Sequence, residues 1–169
     1  MSLPRKLKHF NVFYNGEEFF GQATEITLPK LAMKAEAYRG AGMPGEVDID
    51  LGVEKLELEH SYGGLMYQII KDFGITTVGG VLLRFSGSYQ RDDTGDVDAV
   101  EAICRGRHTE IDPGGSKAGD DTEFKIKSSL SYYKLAVNGS TLVEIDMVNM
   151  IYKVNGVDRL EQHRRAIGR

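Results

Sequence analysis

The chain contains no tryptophan, a single cysteine, four prolines and four histidines among 169 residues. The lone Cys104 cannot close a disulfide within the chain, so nothing points to an oxidising compartment. It falls in a predicted strand, where a small apolar residue suits the core. No apolar run approaches the length of a membrane span. The N-terminus has charges but no apolar stretch behind them, so no secretory leader is expected. The motifs GxSxG, HExxH, GxxxxGKS/T and CxxC are all missing. His9, His60, His108 and His163 lack metal-ligand spacing, and His60 alternates with leucines as a core residue does. Asp92, Asp93, Asp96 and Asp98 surround Gly95 but miss the alternate-position ligand pattern of a calcium loop, and read as a hairpin turn. Arg105-Gly106-Arg107-His108 could hold a phosphate, but nearby Glu101 and Glu110 favour ion pairing. Ile49-Asp50, Ile111-Asp112 and Ile145-Asp146 mark strand ends and form no catalytic dyad. The reading predicts no enzyme, no metal and no cofactor.

What is present is turn-rich and β-rich. Glycine is abundant at 20 residues, and all aromatics are Tyr and Phe. The formal charge of -4 does not draw the whole chain to DNA or anionic lipid. Charge is nevertheless uneven. Arg5, Lys6, Lys8 and His9 make the start basic, and Arg159, Arg164, Arg165 and Arg169 do the same for the end.

The organising stretch runs from Phe124 to Met147. Phe124, Ile126, Ser128 and Leu130 alternate with Lys125, Lys127, Ser129 and Ser131, the period of a half-buried strand. The alternation blurs at Tyr133, Leu135 and Val137. Asn138-Gly139 is the pair a two-residue hairpin favours. Val143, Ile145 and Met147 form the apolar face of the return strand. Such a long hairpin overshoots a small core and leaves edges that need a partner.

Residues 1–10 read as an arm. Asn15-Gly16 turns a short hairpin between Asn11–Tyr14 and Phe19–Gln22. Ile26–Leu28 is a brief strand, and Leu31–Arg39 reads as strand rather than helix. Arg39–Gly45 is an exposed loop with Met43 at its tip. Val47–Leu51 and Leu56–Tyr62 alternate again. Leu65, Met66, Ile69, Ile70 and Phe73 predict an amphipathic helix ended by Gly74. Leu82–Gln90 and Val97–Arg107 form the next strand pair, and Asp112–Asp121 is a glycine-rich loop. Asp158 and Glu161 resemble a capping box before a C-terminal helix or tail over 157–169. One domain over 1–169 is expected, mainly β: an antiparallel sandwich or barrel with one flanking helix and a short C-terminal helix.

Four segments carry a more specific signal: LPKLAMKAEAYRGAGM (Leu28–Met43), GSYQRDDTGDVDAVEAICRGRHTEIDPG (Gly87–Gly114), TEFKIKSSLSYYKLAVNG (Thr122–Gly139), and VEIDMVN with GVDRLEQHRRAIG (Gly156–Gly168). Together they resemble the major tail tube proteins of contractile-tailed bacteriophages. R-type pyocin tube proteins are more distant and share the LPKL, YYKL and EID pieces. The resemblance spans nearly the whole chain in order and spacing.

It implies a β-sandwich subunit that closes into hexameric rings, stacked head to tail as a hollow tube inside a sheath. DNA would pass down the lumen without specific binding. Tail sheath, baseplate, tail-terminator and tape-measure proteins are the implied partners. The implied places are the virion and, during assembly, the host cytoplasm. The alternative is a bacteriocin or secretion tube without DNA cargo. A small β-barrel enzyme would need a pocket and phosphate loop that the sequence does not supply, and a monomeric sugar- or peptide-binding sandwich would not form tubes.

On this footing Tyr38, Arg39, Gly40, Gly42, Met43, Arg164 and Arg165 are the candidate ring-stacking residues. Glycine lets backbone approach a neighbour, and methionine adapts to one. The basic arm is expected to meet acidic patches across the joint. Glu57, Glu59, Ser61, Arg84, Ser86, Ser88, Lys125, Lys127, Ser129 and Ser131 alternate with core residues and are the candidate lumen face.

Overall fold

A computed structural model describes residues 1–169. The elements run β1 (Lys6–Tyr14), β2 (Glu17–Glu18), β3 (Ala23–Thr27), β4 (Met33–Tyr38), β5 (Val47–Val53), β6 (Leu56–Tyr62), α1 (Tyr67–Ile70), β7 (Val81–Gln90), β8 (Val97–Asp112), β9 (Phe124–Val137), β10 (Ser140–Asp146), β11 (Ile151–Val154), β12 (Val157–Asp158) and α2 (Glu161–Ala166). All pairings are antiparallel.

The spine is the β8–β9 ribbon. The two strands pair from Val100↔Val137 to Asp112↔Lys125. On its other edge β9 changes partner midway, pairing β6 over Phe124–Leu130 and β10 over Tyr132–Val137. β7 lines β8 and carries β1, while β3 continues from β6. The sheet curls around one core that draws on β1, β6, β7, β8, β9 and β10. Phe19 bridges the two layers, stacked on Tyr14 at 5.6 Å and edge-on to Tyr62 at 5.8 Å. The sandwich expectation holds, but the sheet stays open: its strand order does not close on itself, so one chain forms no closed barrel.

The blur at Tyr133 has a physical cause. Arg105 faces Tyr132 while Gly106 faces Leu130, so Ser131 is one residue too many in β9. This bulge moves the core-facing positions from Phe124, Ile126, Ser128 and Leu130 to Tyr133. Asn138 and Gly139 then turn the chain at φ 51° and 83°, the left-handed pair that the hairpin requires.

Several expectations are corrected. Lys6–Phe10, read as part of an arm, pair with β7, so strand begins directly after Arg5. The predicted helix is a single turn that buries only Met66 and Ile69, leaving Leu65, Ile70 and Phe73 exposed. Gly74 does take a left-handed φ of 89°. Met147 lies beyond β10 and is exposed. No capping box forms: Leu160 occupies the N-cap of α2 without a side-chain bond, and Asp158 instead accepts from the Leu160 amide and pairs with Arg164.

Candidate assembly surfaces

β4 and β5 form a two-stranded sheet apart from the main one. Every residue of β4 is exposed, as is β5 from Val47 to Gly52. The register puts Tyr38 opposite Val47 and Glu36 opposite Ile49. Leu51 follows at the register shift between the pairs Ala35↔Asp50 and Met33↔Val53. Tyr38, Val47, Ile49 and Leu51 are each about half exposed, at 54%, 52%, 44% and 51%. An isolated hairpin is marginal in water, and apolar side chains on an uncovered face have no core to bury in.

The loop of the hairpin departs from the expected picture. Gly42 takes φ 85°. The Met43 amide donates to the Gly40 carbonyl at 3.2 Å, and the Gly40 amide donates to Met43 Sδ at 3.0 Å. Arg39 Nε donates to the Met43 carbonyl at 3.2 Å. Met43 is therefore folded onto its own loop and half-buried, with no projecting tip. The uncovered apolar residues are Val47, Ile49 and Leu51, which the sequence reading passed over as ordinary core alternation. Their signal was present, since each alternates with an acid or glycine. What it lacked was any mark that the covering layer is missing.

The charged ends are occupied within the chain. Arg5 pairs with Asp98, Lys8 with Asp92 at 2.9 Å, and the Leu3 amide donates to Asp93 at 3.0 Å. The basic arm thus meets the chain's own acidic turn. Asn138 and Arg5 hold the Asp98 carboxyl below the usual carboxylate range. Arg164 pairs with Asp158 and donates to the Met150 carbonyl at 2.8 Å, pinning α2 to the sheet edge. Arg165 pairs with Glu161 at 2.5 Å and remains largely exposed.

The candidate lumen residues lie on the sheet face turned away from the core. Cross-strand rows read Glu57·Ser129·Arg107, Glu59·Lys127·Glu110 and Ser61·Lys125·Asp112 over β6, β9 and β8. Lys127 lies 3.8 Å from both Glu59 and Glu110, and Lys125 lies 3.5 Å from Glu123. Glu57 pairs with Lys55 at 2.9 Å, and that contact lowers its pKa. The pairing expected for Arg105 and Arg107 does not form, because Lys127 takes Glu110; Arg107 instead reaches the Thr76 carbonyl at 3.5 Å. Ser131 sits at the bulge, its hydroxyl 3.5 Å from the Arg105 carbonyl.

Further along the same face, Arg84 lies over the Phe13 ring at 4.2 Å. Ser86 and Ser88 help line an open hollow of about 530 Å³ with His9, Asn11, Glu101 and Lys134. The register brings Ser86 opposite Glu101 and Lys134 opposite Glu144. Nothing on this face converges as a nucleophile and its base would.

A family model described as phage tail tube protein FII matches residues 4–168. The tail tube protein of Escherichia phage P2 is 54% identical over 171 residues, covering 99% of each chain. The major tail tube protein of Serratia phage KSP20 is 40% identical over 158 residues, covering 92% of this chain and 91% of the other. Among solved structures, a sheath/tube terminator of the PVC extracellular contractile injection system superposes with a TM-score of 0.60 at 11% identity, covering 79% of this chain and 96% of that one. The anti-feeding prophage tube-terminating cap superposes with a TM-score of 0.59 at 14% identity, covering 80% and 93%. At such identities the likeness is one of fold.

Proposed function

The chain belongs to the phage tail tube protein FII family, whose members are structural, and from that premise we propose that its copies close into hexameric rings stacked as a hollow DNA conduit. The observation that carries this is the β4–β5 hairpin, which stands apart from the main sheet and leaves Tyr38, Val47 and Ile49 about half exposed. A second copy supplies the cover. A contact between two different surfaces of identical subunits closes into a ring when its rotation closes, and rings then stack. Tyr38, Arg39, Gly40 and Gly42 act in that joint together with Val47, Ile49 and Leu51. Met43 supports the loop from inside, and Arg165 is the freer of the two C-terminal arginines.

The partners follow from the same reading. The solved relatives in fold come from a sheath-tube complex, a sheath/tube terminator and a baseplate. The tube is accordingly taken to meet sheath, terminator and baseplate proteins and to be built around a tape-measure protein in the host cytoplasm. Identity of 54% to the tail tube protein of a phage favours a tube that conducts DNA over one without DNA cargo. Negative-stain images of the concentrated pure protein are expected to show rings of uniform diameter and stacks of them. A strictly monodisperse monomer at every concentration and salt level, unable to join a growing tail, would overturn the reading.

The face bearing Glu57, Glu59, Ser61, Lys125, Lys127, Ser129 and Ser131 is assigned to the lumen. Its lysines each sit beside a carboxylate, so Arg105 and Arg107 are the cations of this face left without an acidic partner to meet phosphate. Any net field from such a wall decays within about 8 Å at physiological salt, so it acts only on DNA near the surface. The double substitution Glu57→Lys with Glu59→Lys should leave tube assembly and sheath binding intact, while genome ejection slows and becomes salt-dependent. Lost sheath binding with normal ejection would place this face on the outside.

A further inference from the structure

Three turns of this chain share one sequence and one shape. Asn15-Gly16 takes φ 48° and 85°, Asn138-Gly139 51° and 83°, and Asn155-Gly156 51° and 78°. All six residues are exposed, and nothing lies within 4 Å of a Cβ placed at any of the three glycines. Each asparagine docks its backbone on a neighbouring strand. The amide of Asn15 donates to the Leu82 carbonyl, that of Asn138 to Ala99 and that of Asn155 to Leu142, each at 2.8 Å. Sequence, backbone and solvent access are matched, and the side chains differ.

At two of the turns the side-chain amide is tied at both ends. Asn138 Oδ1 accepts from the Ala99 amide at 2.9 Å, and its Nδ2 donates to Asp98 Oδ1 at 2.9 Å. Asn15 Oδ1 accepts from the Leu82 amide at 2.9 Å, and its Nδ2 donates to Asp72 Oδ2 over a longer 3.4 Å. At Asn155 the backbone bond to Leu142 stands alone. The strand it docks on is irregular there. Leu142 is the extra residue between the pairs Thr141↔Ala136 and Val143↔Leu135, and the contact that Leu82 and Ala99 make to an asparagine side chain is not repeated.

We propose that Asn155 is a site of spontaneous deamidation, converting ahead of Asn15 and Asn138. The Gly156 amide nitrogen attacks Asn155 Cγ and closes a succinimide ring. The Cγ–Nδ2 bond breaks, and ammonia leaves with the proton of the attacking amide. Water then opens the ring at either carbonyl. One opening gives aspartate, and the other gives isoaspartate, whose main chain runs through Cβ and Cγ. Water is the sole co-reactant. Glycine favours the attack because no Cβ shields its nitrogen. Asn11 and Asn149 precede Val12 and Met150, whose side chains crowd that approach.

Closing the ring requires Cγ to swing over the following amide. A side chain tied at both ends must first break both ties, and two ordinary hydrogen bonds slow that by about fivefold to a hundredfold. The longer bond at Asn15 places it between the other two sites. The Asn155 turn is also lightly held, since β11 and β12 share only the pairs Lys153↔Asp158 and Val154↔Val157. Either product adds a negative charge to the chain. Isoaspartate also lengthens the main chain inside the turn that sets the register of those pairs.

The test is peptide mapping by mass spectrometry of the full chain, aged in dilute, mildly alkaline buffer. The peptide holding Asn155 should be the first to show the amide-to-acid mass change, as a mixture of aspartate and isoaspartate. Val-Asn-Gly occurs at both Asn138 and Asn155, so these sites should convert at equal rates in guanidinium chloride. In the native chain Asn155 should lead Asn138 by about tenfold or more. Asp98→Ala removes one tie from Asn138 and should speed that site several-fold while leaving Asn155 unchanged. Asn138 converting as fast as Asn155 in the native chain, or a lead for Asn155 that survives denaturant, would overturn the proposal. The comparison is made within one unaltered chain, so it stands even if the variant does not fold.

Discussion

Gly106→Ala should be among the most damaging single-atom additions to this chain. A Cβ built at Gly106 would lie 2.1 Å from the Ser129 carbonyl oxygen, 2.9 Å from its carbon and 3.0 Å from the Leu130 Cα. All three are backbone atoms of the strand that β8 pairs with, so no rotamer change relieves the clash. The strands must part at the Ser131 bulge, where β9 already exchanges one partner strand for another. Overpacking of this kind costs about 1–3 kcal/mol in ordinary cores, and a backbone clash belongs at or above the upper end. For a chain of this size that is a fall in Tm of about 6–12 °C. Gly115→Ala is the matched control, since nothing lies within 4 Å of its Cβ position and its φ is not left-handed. Equal urea midpoints for the two variants would show that the β8–β9 contact has room for a methyl group.

Deleting Gly40–Gly45 should abolish polymerisation while leaving a folded, soluble monomer. The deletion joins Arg39 to Glu46 between the paired residues Tyr38 and Val47, so the hairpin keeps its register and loses its loop. The core is untouched because Val53 is the residue of β4 and β5 that packs against the buried cluster, and it lies outside the deletion. Ile49→Asp tests the strand face separately, placing a charge where a neighbouring copy must exclude water. It should reduce polymerisation by orders of magnitude, since an unpaired buried charge costs several kcal/mol per joint and each ring repeats the joint. Circular dichroism and sedimentation would report fold and assembly side by side. Normal tubes from the deletion would move the joint elsewhere.

These two outcomes mark where the sequence was legible. The β9–β10 hairpin could be read from its period and its Asn-Gly turn because both are local properties of the chain. The lumen candidates fell on one face for the same reason: alternation fixes sidedness whatever the tertiary partner. Three features escaped. The Ser131 bulge showed only as a blur, since one unpaired residue has no composition of its own. The apolar run at Leu65–Phe73 suggested more helix than one turn, because periodicity reports which residues are apolar and not what covers them. Val47, Ile49 and Leu51 escaped in the same way, because an exposed apolar strand face has the same alternation as a covered one. The partners that the charged ends have within the chain were not legible either. Arg5, Lys8 and Arg164 find acids on the same chain that lie far off in sequence or in an unforeseen turn, and composition carries no distances.

The β8–β9 ribbon also has a mechanical meaning. Its ladder runs from Val100 to Asp112 on one strand and from Lys125 to Val137 on the other. A force along the ribbon must shear these hydrogen bonds together, whereas a force across an edge can peel them one after another. Shear spreads the load over many weak bonds at once, so the subunit is stiff along this direction and yields first at its short edge pairs, β2 and β12. A tube whose subunits align the ribbon with the direction of thrust would transmit a push while its margins gave way.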